Sequence, residues 1–252
     1  MKKVLVLGEE VRQDYLYRLL KEKGYAVKRS KELIAGDFDV FLLPVPAHLS
    51  EKYVEALSGF GTKGQYIFGC DFSKINMAKC PAKFVDYMKG DETAYRNAVA
   101  TAEGAIAEAI SHSNTNLHHS KSLVIGYGRC GSVLADKLLA LRSQVTVLEQ
   151  DKKKCAQAES KGLFVMNKKE DKKKFDYVFN TAPTHVADEK FLSELSREVT
   201  IIDIASKGTG VDFQYCKENQ LNAHLCLGLP GKYAPKSSAA ILLKVIEDTL
   251  GE

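Results

Sequence analysis

Lys121-Ser122-Leu123-Val124-Ile125-Gly126-Tyr127-Gly128-Arg129-Cys130-Gly131 is the stretch that decides how this chain folds. Leu123-Val124-Ile125 is a short apolar run of the kind that a strand buried on both faces requires. Gly126, Gly128 and Gly131 follow it at G-x-G-x-x-G spacing. From Ser132 to Leu141 the apolar residues recur at helical spacing, so the glycines fall on a strand-to-helix turn. Such a turn uses its first glycine for the tight bend, its second for close approach of a diphosphate to the backbone, and its third for packing of helix on strand. The open N–H groups and positive end of the helix then favour phosphate. A second apolar strand, Gln144–Leu148, ends at Glu149, which lies 18 residues beyond Gly131, near the roughly 20 expected of the acid that bonds a ribose hydroxyl. Gly126, Gly128, Arg129, Cys130, Gly131 and Glu149 are therefore read as a cofactor-binding set.

Working outward, the 252 residues suffice for two domains with cores of their own. Apolar content of 45% and charged content of 27% describe an ordinary globular chain. No apolar run approaches the ~20 residues that span a bilayer, so no membrane partner is expected. Met1–Gly8 begins like a signal peptide, but Glu9-Glu10 cuts the apolar run short and makes it a first strand. The six cysteines contain no C-x-x-C pair, which speaks against a zinc site or disulfide framework and for a reducing cytoplasm. Residues 151–175 hold nine lysines against four acids, but no reader motif or aromatic-interleaved groove accompanies them. The run reads as a solvated face, and nucleic acid is not an expected partner. His118 and His119 are neighbours on a polar turn and point to opposite sides, so no metal is expected.

The first ~85 residues alternate strand and helix: Val4–Gly8, a helix around Tyr15–Leu20 closed by Gly24, then Tyr25–Val27, Phe38–Leu43, a helix over 51–57, and Gln65–Gly69. This alternation specifies a parallel sheet with helices on both faces. Gly8-Glu9-Glu10 puts carboxylates where phosphate needs donors, so no nucleotide is placed there. Ligands of open α/β sheets lie beyond the carboxyl ends of the strands, which nominates Arg12 and Gln13 for substrate. A long alanine-rich helix, Asp91 to about His112, joins the halves, interrupted at Thr101-Ala102-Glu103-Gly104. After Glu149 come a helix over Lys152–Lys161 and strands Leu163–Val165, Phe175–Asn180, Val199–Asp203 and Ala223–Leu227. A closing helix, Ser237–Leu250, has its start set by Pro235 and by serines suited to capping.

The fold expected is α/β, two doubly wound parallel-sheet domains with a Rossmann dinucleotide-binding domain second. The divisions are a flavodoxin-like domain over 1–88, a connecting helix over 89–117, the Rossmann domain over 118–235, and a terminal helix over 236–252. Three polar loops end three strands on the edge that carries the glycine turn. They add Asn180, Thr181, Ala182, Pro183, Ala205, Leu229 and Pro230 to the cofactor set, and Ser206 to the substrate set.

Residues 83–251 resemble the dipicolinate synthase A-subunit family, whose product is the pyridine dicarboxylate stored in endospores. The resemblance rests on Thr101-Ala-Glu-Gly104, Gly126–Gly131, Asn180-Thr-Ala-Pro183, Asp203-Ile-Ala-Ser-Lys-Gly208 and, most specifically, Gly228-Leu-Pro-Gly-Lys-Tyr-Ala-Pro-Lys-Ser237. The first 85 residues match more loosely, through Gly8…Arg12-Gln13 and Leu43-Pro44-Val45. The resemblance implies a terminal helix packed back on the first domain, oxidation of a dihydrodipicolinate-type ring by a nicotinamide cofactor, a homo-oligomer, and a partner in the form of a flavoprotein-like B-subunit. It also implies the phosphorylated cofactor, whereas Glu149 repels a 2′-phosphate and favours NAD. The cofactor expected is accordingly NAD or NADP.

Aromatising a cyclic dicarboxylate releases a hydride and a proton, which calls for carboxylate anchors and a titratable group. Arg12, Lys207 and Lys232 are the anchors expected, and Glu103 or Asp203 the base or orienting group. An alternative is a 2-hydroxyacid dehydrogenase, but Lys207 stands where such enzymes need an arginine, and no histidine follows residue 227. A further alternative is a non-catalytic nucleotide-sensing subunit.

Overall fold

The computed structural model describes residues 2–34, 36–45, 53, 56–57, 62–70, 72, 80–166, 172–206 and 210–251. The chain divides into two compact units, one of residues 1–97 with 230–252 and the other of residues 98–229.

The first unit is a five-stranded parallel sheet ordered β2-β1-β3-β4-β5. Its strands are β1 (Lys3–Leu7), β2 (Ala26–Ser30), β3 (Val40–Leu42), β4 (Tyr66–Gly69) and β5 (Lys83–Asp86). This is the flavodoxin-like order, in which the chain reverses direction across the sheet between β1 and β3. The apolar runs read from the sequence are the central strands, and Val4 to Leu7 are wholly buried, with apolar clusters on both faces of the sheet. One face packs against α1 (Val11–Glu22) and the terminal helix α8 (Pro235–Leu250), where Leu16, Leu20, Ala239, Leu242 and Ile246 share a cluster with Val4 and Val6. The opposite face gathers Leu5, Leu7, Phe41, Leu43 and Ile67. Strand β5 escapes the apolar pattern because Lys83 and Asp86 bracket only two apolar residues. Of the helix expected over 51–57, only Tyr53, Ala56 and Leu57 are described.

The second unit is a six-stranded parallel sheet ordered β11-β10-β9-β6-β7-β8. It comprises β6 (Lys121–Ile125), β7 (Gln144–Leu148), β8 (Phe164–Val165), β9 (Tyr177–Asn180), β10 (Thr200–Asp203) and β11 (Asn222–Leu225). Numbered within the unit this is the Rossmann order 3-2-1-4-5-6, read from the opposite edge. Helix α2 (Asp91–His112) crosses the division between Asn97 and Ala98. Its buried alanines, Ala102, Ala105 and Ala109, join Val124, Leu134, Leu138 and Phe179 in the core of the second unit. The other face of that sheet buries Leu123, Ile125, Val178, Phe191, Leu192 and Ile201.

Helix α3 (Arg129–Ala140) begins at Arg129, ahead of the expected Ser132, with Gly128 as its N-cap. Helix α8 begins at Pro235, its N-cap is Ala234, and no side chain caps it. The serines expected to cap it lie inside the first turn, and Ser238 is wholly buried. The loop expected after Leu227 contains a short helix, α7 (Leu229–Tyr233). No helix among the described residues is long and apolar enough to cross a membrane.

Leu242 is fully buried in the same cluster as Leu16 and Leu20. Leu242→Ala is therefore expected to cost about 3 kcal/mol of stability, measured as a lowered urea midpoint at unchanged m.

Candidate functional site

Gly126 leaves β6 with φ of +87°, a left-handed conformation that side chains rarely adopt. Its N–H donates to the Leu148 carbonyl at 2.9 Å, which keeps the turn in register with β7. Gly131 sits one helical turn into α3, and a Cβ there would be driven into the Gly126 carbonyl oxygen and come within 2.9 Å of Thr181 Oγ1. Gly128 is different, since a Cβ there meets nothing within 4 Å. Internal packing thus explains Gly131 but not Gly128, whose bare backbone faces open space at an uncapped helix start. That is the cradle a diphosphate requires, and a side chain would fill it.

Glu149 closes the turn from the end of β7. Its Oε2 accepts the Tyr127 N–H at 2.9 Å, and its Oε1 accepts those of Gln150 at 2.7 Å and Asp151 at 3.1 Å. Lys154 Nζ lies 3.7 Å away. Burial pushes the Glu149 carboxyl up, but the three backbone donors and Lys154 outweigh it and hold the group below its ordinary value. The acid stays charged at the lip of the turn.

The third side is built by β9 and β10. Asn180 and Asp203 are paired in register at the ends of these strands, and both are wholly buried. Asn180 Nδ2 donates to Asp203 Oδ1 at 2.8 Å and to the Ala182 carbonyl at 3.1 Å, while its Oδ1 accepts the Ala182 N–H at 3.3 Å. The Asn180 side chain thereby shapes the Thr181-Ala182-Pro183 turn. Thr181 in turn donates its N–H to the Ile125 carbonyl at 2.9 Å and its hydroxyl to the same oxygen at 3.0 Å, tying that turn to the glycine turn. Asp203 Oδ1 also accepts the Ala205 N–H at 2.9 Å, and burial pushes its carboxyl up against these donors. A Cβ on Gly210 would be driven into the Asn180 amide, so the returning chain packs directly on the pair.

Residues 122–175 match the TrkA-N domain family. The dipicolinate synthase A-subunit of Bacillus subtilis (strain 168) is 33% identical over 178 residues, which cover 69% of this chain and 60% of that protein. The match therefore spans less than two thirds of the relative's length. The crystal structure of the dipicolinate synthase A-subunit from Bacillus halodurans superposes with a TM-score of 0.87 at 26% identity, over 100% of this chain and 98% of that one. The chain is thus similar to dipicolinate synthase A-subunits in both sequence and fold. D-lactate dehydrogenase from Escherichia coli shares the fold, with a TM-score of 0.73 at 15% identity over 99% of this chain and 98% of that one.

The residues expected to meet substrate are distributed unevenly. Arg12, in the first unit, is only 2% exposed, and its Nη1 donates to Ser238 Oγ at 3.2 Å. Burial lowers the pKa of its guanidinium, opposed by the charge of Glu10. Gly231 lies against the same guanidinium, where a Cβ would come within 3.5 Å of its central carbon. Two residues of the closing segment, Gly231 and Ser238, thus embrace Arg12. Gln13 is buried and gives its amide to the Leu7 carbonyl at 2.7 Å, with the Leu42 carbonyl at 3.4 Å. It is a tether between β1 and β3. Lys232 is exposed, with its ammonium over the Tyr233 ring, and Leu229 and Pro230 are buried.

Glu103 accepts Lys137 Nζ at 2.8 Å on an exposed face. Lys137 stands eight residues along α3 from Arg129, about 12 Å by helical rise, so Glu103 belongs to a surface ion pair away from the glycine turn. Asp203, fully enclosed, orients Asn180 and Ala205 and is not exposed to a substrate. Ser206 is exposed, and Lys207 lies outside the described residues. Burial pushes the Cys130 thiol up, so it stays protonated. Sequence reasoning missed Ser238, Gly231 and Gly210. Gly231 sat inside the recognised 228–237 run and Ser238 just beyond its end, whereas Gly210 carried no local signal.

The two glycines of the turn separate folding from binding. Gly131→Ala is expected to destabilise the protein by roughly 2 kcal/mol, seen as a lowered thermal midpoint. Gly128→Ala should leave the midpoint within about 0.5 kcal/mol of wild type.

Proposed function

We propose that the chain is a nicotinamide-dependent oxidoreductase that oxidises a dihydrodipicolinate-type ring to dipicolinate. The observation that carries this reading is the open Gly128 cradle beside a charged acid at the ribose position, in a chain similar to dipicolinate synthase A-subunits. A bound NAD or NADP supplies the hydride acceptor. The first turn of α3 and the Gly128 backbone would hold the diphosphate, and Glu149 would accept hydrogen bonds from the adenosine ribose. Asn180 fixes the Thr181–Pro183 turn, which would contact the nicotinamide half. Asp203 is a positioning residue that holds Asn180 and Ala205 in place.

Oxidation removes a hydride and a proton from a ring bearing two carboxylates, so the protein must supply fixed positive charge. Arg12 is assigned a substrate carboxylate, because its guanidinium is held by Ser238 and has a buried Nε with no acceptor among the described residues. Ser206, Lys207 and Lys232 are further proposed substrate contacts, on the strength of the resemblance. In this reading neither Glu103 nor Asp203 takes the proton, since one is paired by Lys137 and the other is enclosed. The resemblance further supports a homo-oligomer that works with a flavoprotein-like second subunit. None of the six cysteines, all of them described, forms a disulfide, in keeping with a cytoplasmic location.

The direct test is dipicolinate formation, followed by its ultraviolet absorbance, when the purified chain is given dihydrodipicolinate and each oxidised cofactor. The expected result is stoichiometric dipicolinate and reduced cofactor. Tight cofactor binding with no turnover would instead favour the sensing role. Arg12→Met replaces a buried charge by an apolar side chain of similar length and should fold. It is expected to raise KM for the ring dicarboxylate roughly tenfold or more, with NADH affinity unchanged.

A further inference from the structure

We propose that this chain selects NAD(H) over NADP(H), because the Glu149 carboxylate stands at the end of β7 and, with Asp151, occupies four of the backbone donors that would face a 2′-phosphate there. The inference rests on the dinucleotide reading above and goes beyond it by choosing the cofactor.

A 2′-phosphate is accepted in this fold by an arginine near the end of the second strand or by free N–H groups there. The segment Glu149-Gln150-Asp151-Lys152-Lys153-Lys154 contains no arginine. Four of its backbone donors, the N–H groups of Gln150, Asp151, Lys153 and Lys154, are already committed. Glu149 accepts the N–H groups of Gln150 at 2.7 Å and Asp151 at 3.1 Å, and reaches back to that of Tyr127 at 2.9 Å. Asp151 is the N-cap of α4 (Lys152–Ser160) and accepts the N–H groups of Lys153 at 2.8 Å and Lys154 at 3.2 Å. The start of this helix, which would otherwise attract an anion, is sealed by a carboxylate of its own.

Glu149 cannot swing aside to admit a phosphate. Its side chain is 13% exposed, and moving it would strand three N–H groups from two segments of chain. The lysine run does not offset this. Of its side chains only Lys154 has its ammonium within 4 Å of Glu149, at 3.7 Å, where it already balances the carboxylate. A ribose 2′-hydroxyl, by contrast, can donate to a Glu149 oxygen that keeps a lone pair beyond its backbone partners. The same residue therefore braces the glycine turn and reads the ribose, so charge-removing changes should loosen both together.

The test is isothermal titration calorimetry of the full chain with NADH and with NADPH. Wild type should bind NADH at least roughly tenfold more tightly than NADPH. Glu149→Gln removes the charge but keeps one acceptor oxygen. It should narrow that ratio to about threefold or less and also lower the thermal midpoint, because one backbone N–H loses its partner. Lys154→Gln should leave NADPH the weaker ligand. Equal or tighter binding of NADPH by wild type overturns the proposal while leaving the dinucleotide reading intact. Binding of neither cofactor overturns both. An unchanged ratio in a folded Glu149→Gln variant overturns the role given to Glu149.

Discussion

Strand β6 hands the chain to helix α3 across a turn so tight that the helix rests directly on the carbonyl of Gly126, which the missing side chain of Gly131 permits. That contact fixes the height of the helix above the sheet. It also decides where the first-turn N–H groups point, and leaves the Gly128 backbone bare on the outer side. Glu149 and Thr181 then brace the turn from β7 and β9 with hydrogen bonds to its backbone or to the residue that precedes it. Three strands thus converge on one bend, and the polar edge of the second unit is organised around it.

The first unit repeats the architecture and closes the equivalent bend. Gly8 follows β1 with φ of +115°, much as Gly126 follows β6. Around it, however, stand Glu10, Pro44 and Gln13, whose side-chain atoms a Cβ at Gly8 would meet within 3.4 Å. Gln13 fills the space where a phosphate would lie and spends its amide on the carbonyls of β1 and β3. One turn is open and donor-rich, the other plugged by its own side chains. The distinguishing feature of the first unit is instead a guanidinium, Arg12, enclosed by the closing segment through Ser238 and Gly231. Burying a guanidinium away from water is costly unless it has partners, which is consistent with a place for an anion.

The Rossmann unit was legible in the sequence because its signals are local: an apolar run, three glycines, and an acid at the right distance. The parallel pairing of the strands followed from alternation of helix and strand. What escaped notice depends on tertiary packing. Gly210 matters only because the chain returns over Asn180, and nothing near residue 210 announces that return. Ser238 reads as a cap from its position near a helix start, whereas Pro235 begins the helix and Ser238 turns inward to Arg12. Glu103 attracts attention as an acid beside a helix-weakening glycine, yet Lys137, 34 residues along the chain, engages it. Burial likewise separates Asp203 from the chemistry its charge suggests.

A crystal of the protein grown with saturating NADH tests most directly whether the open turn is a diphosphate cradle. Diphosphate density is predicted against the backbone of Gly128 and the first turn of α3, with the adenosine ribose hydroxyls at Glu149. A well-ordered cofactor bound elsewhere, or the turn left empty at saturation, would contradict it.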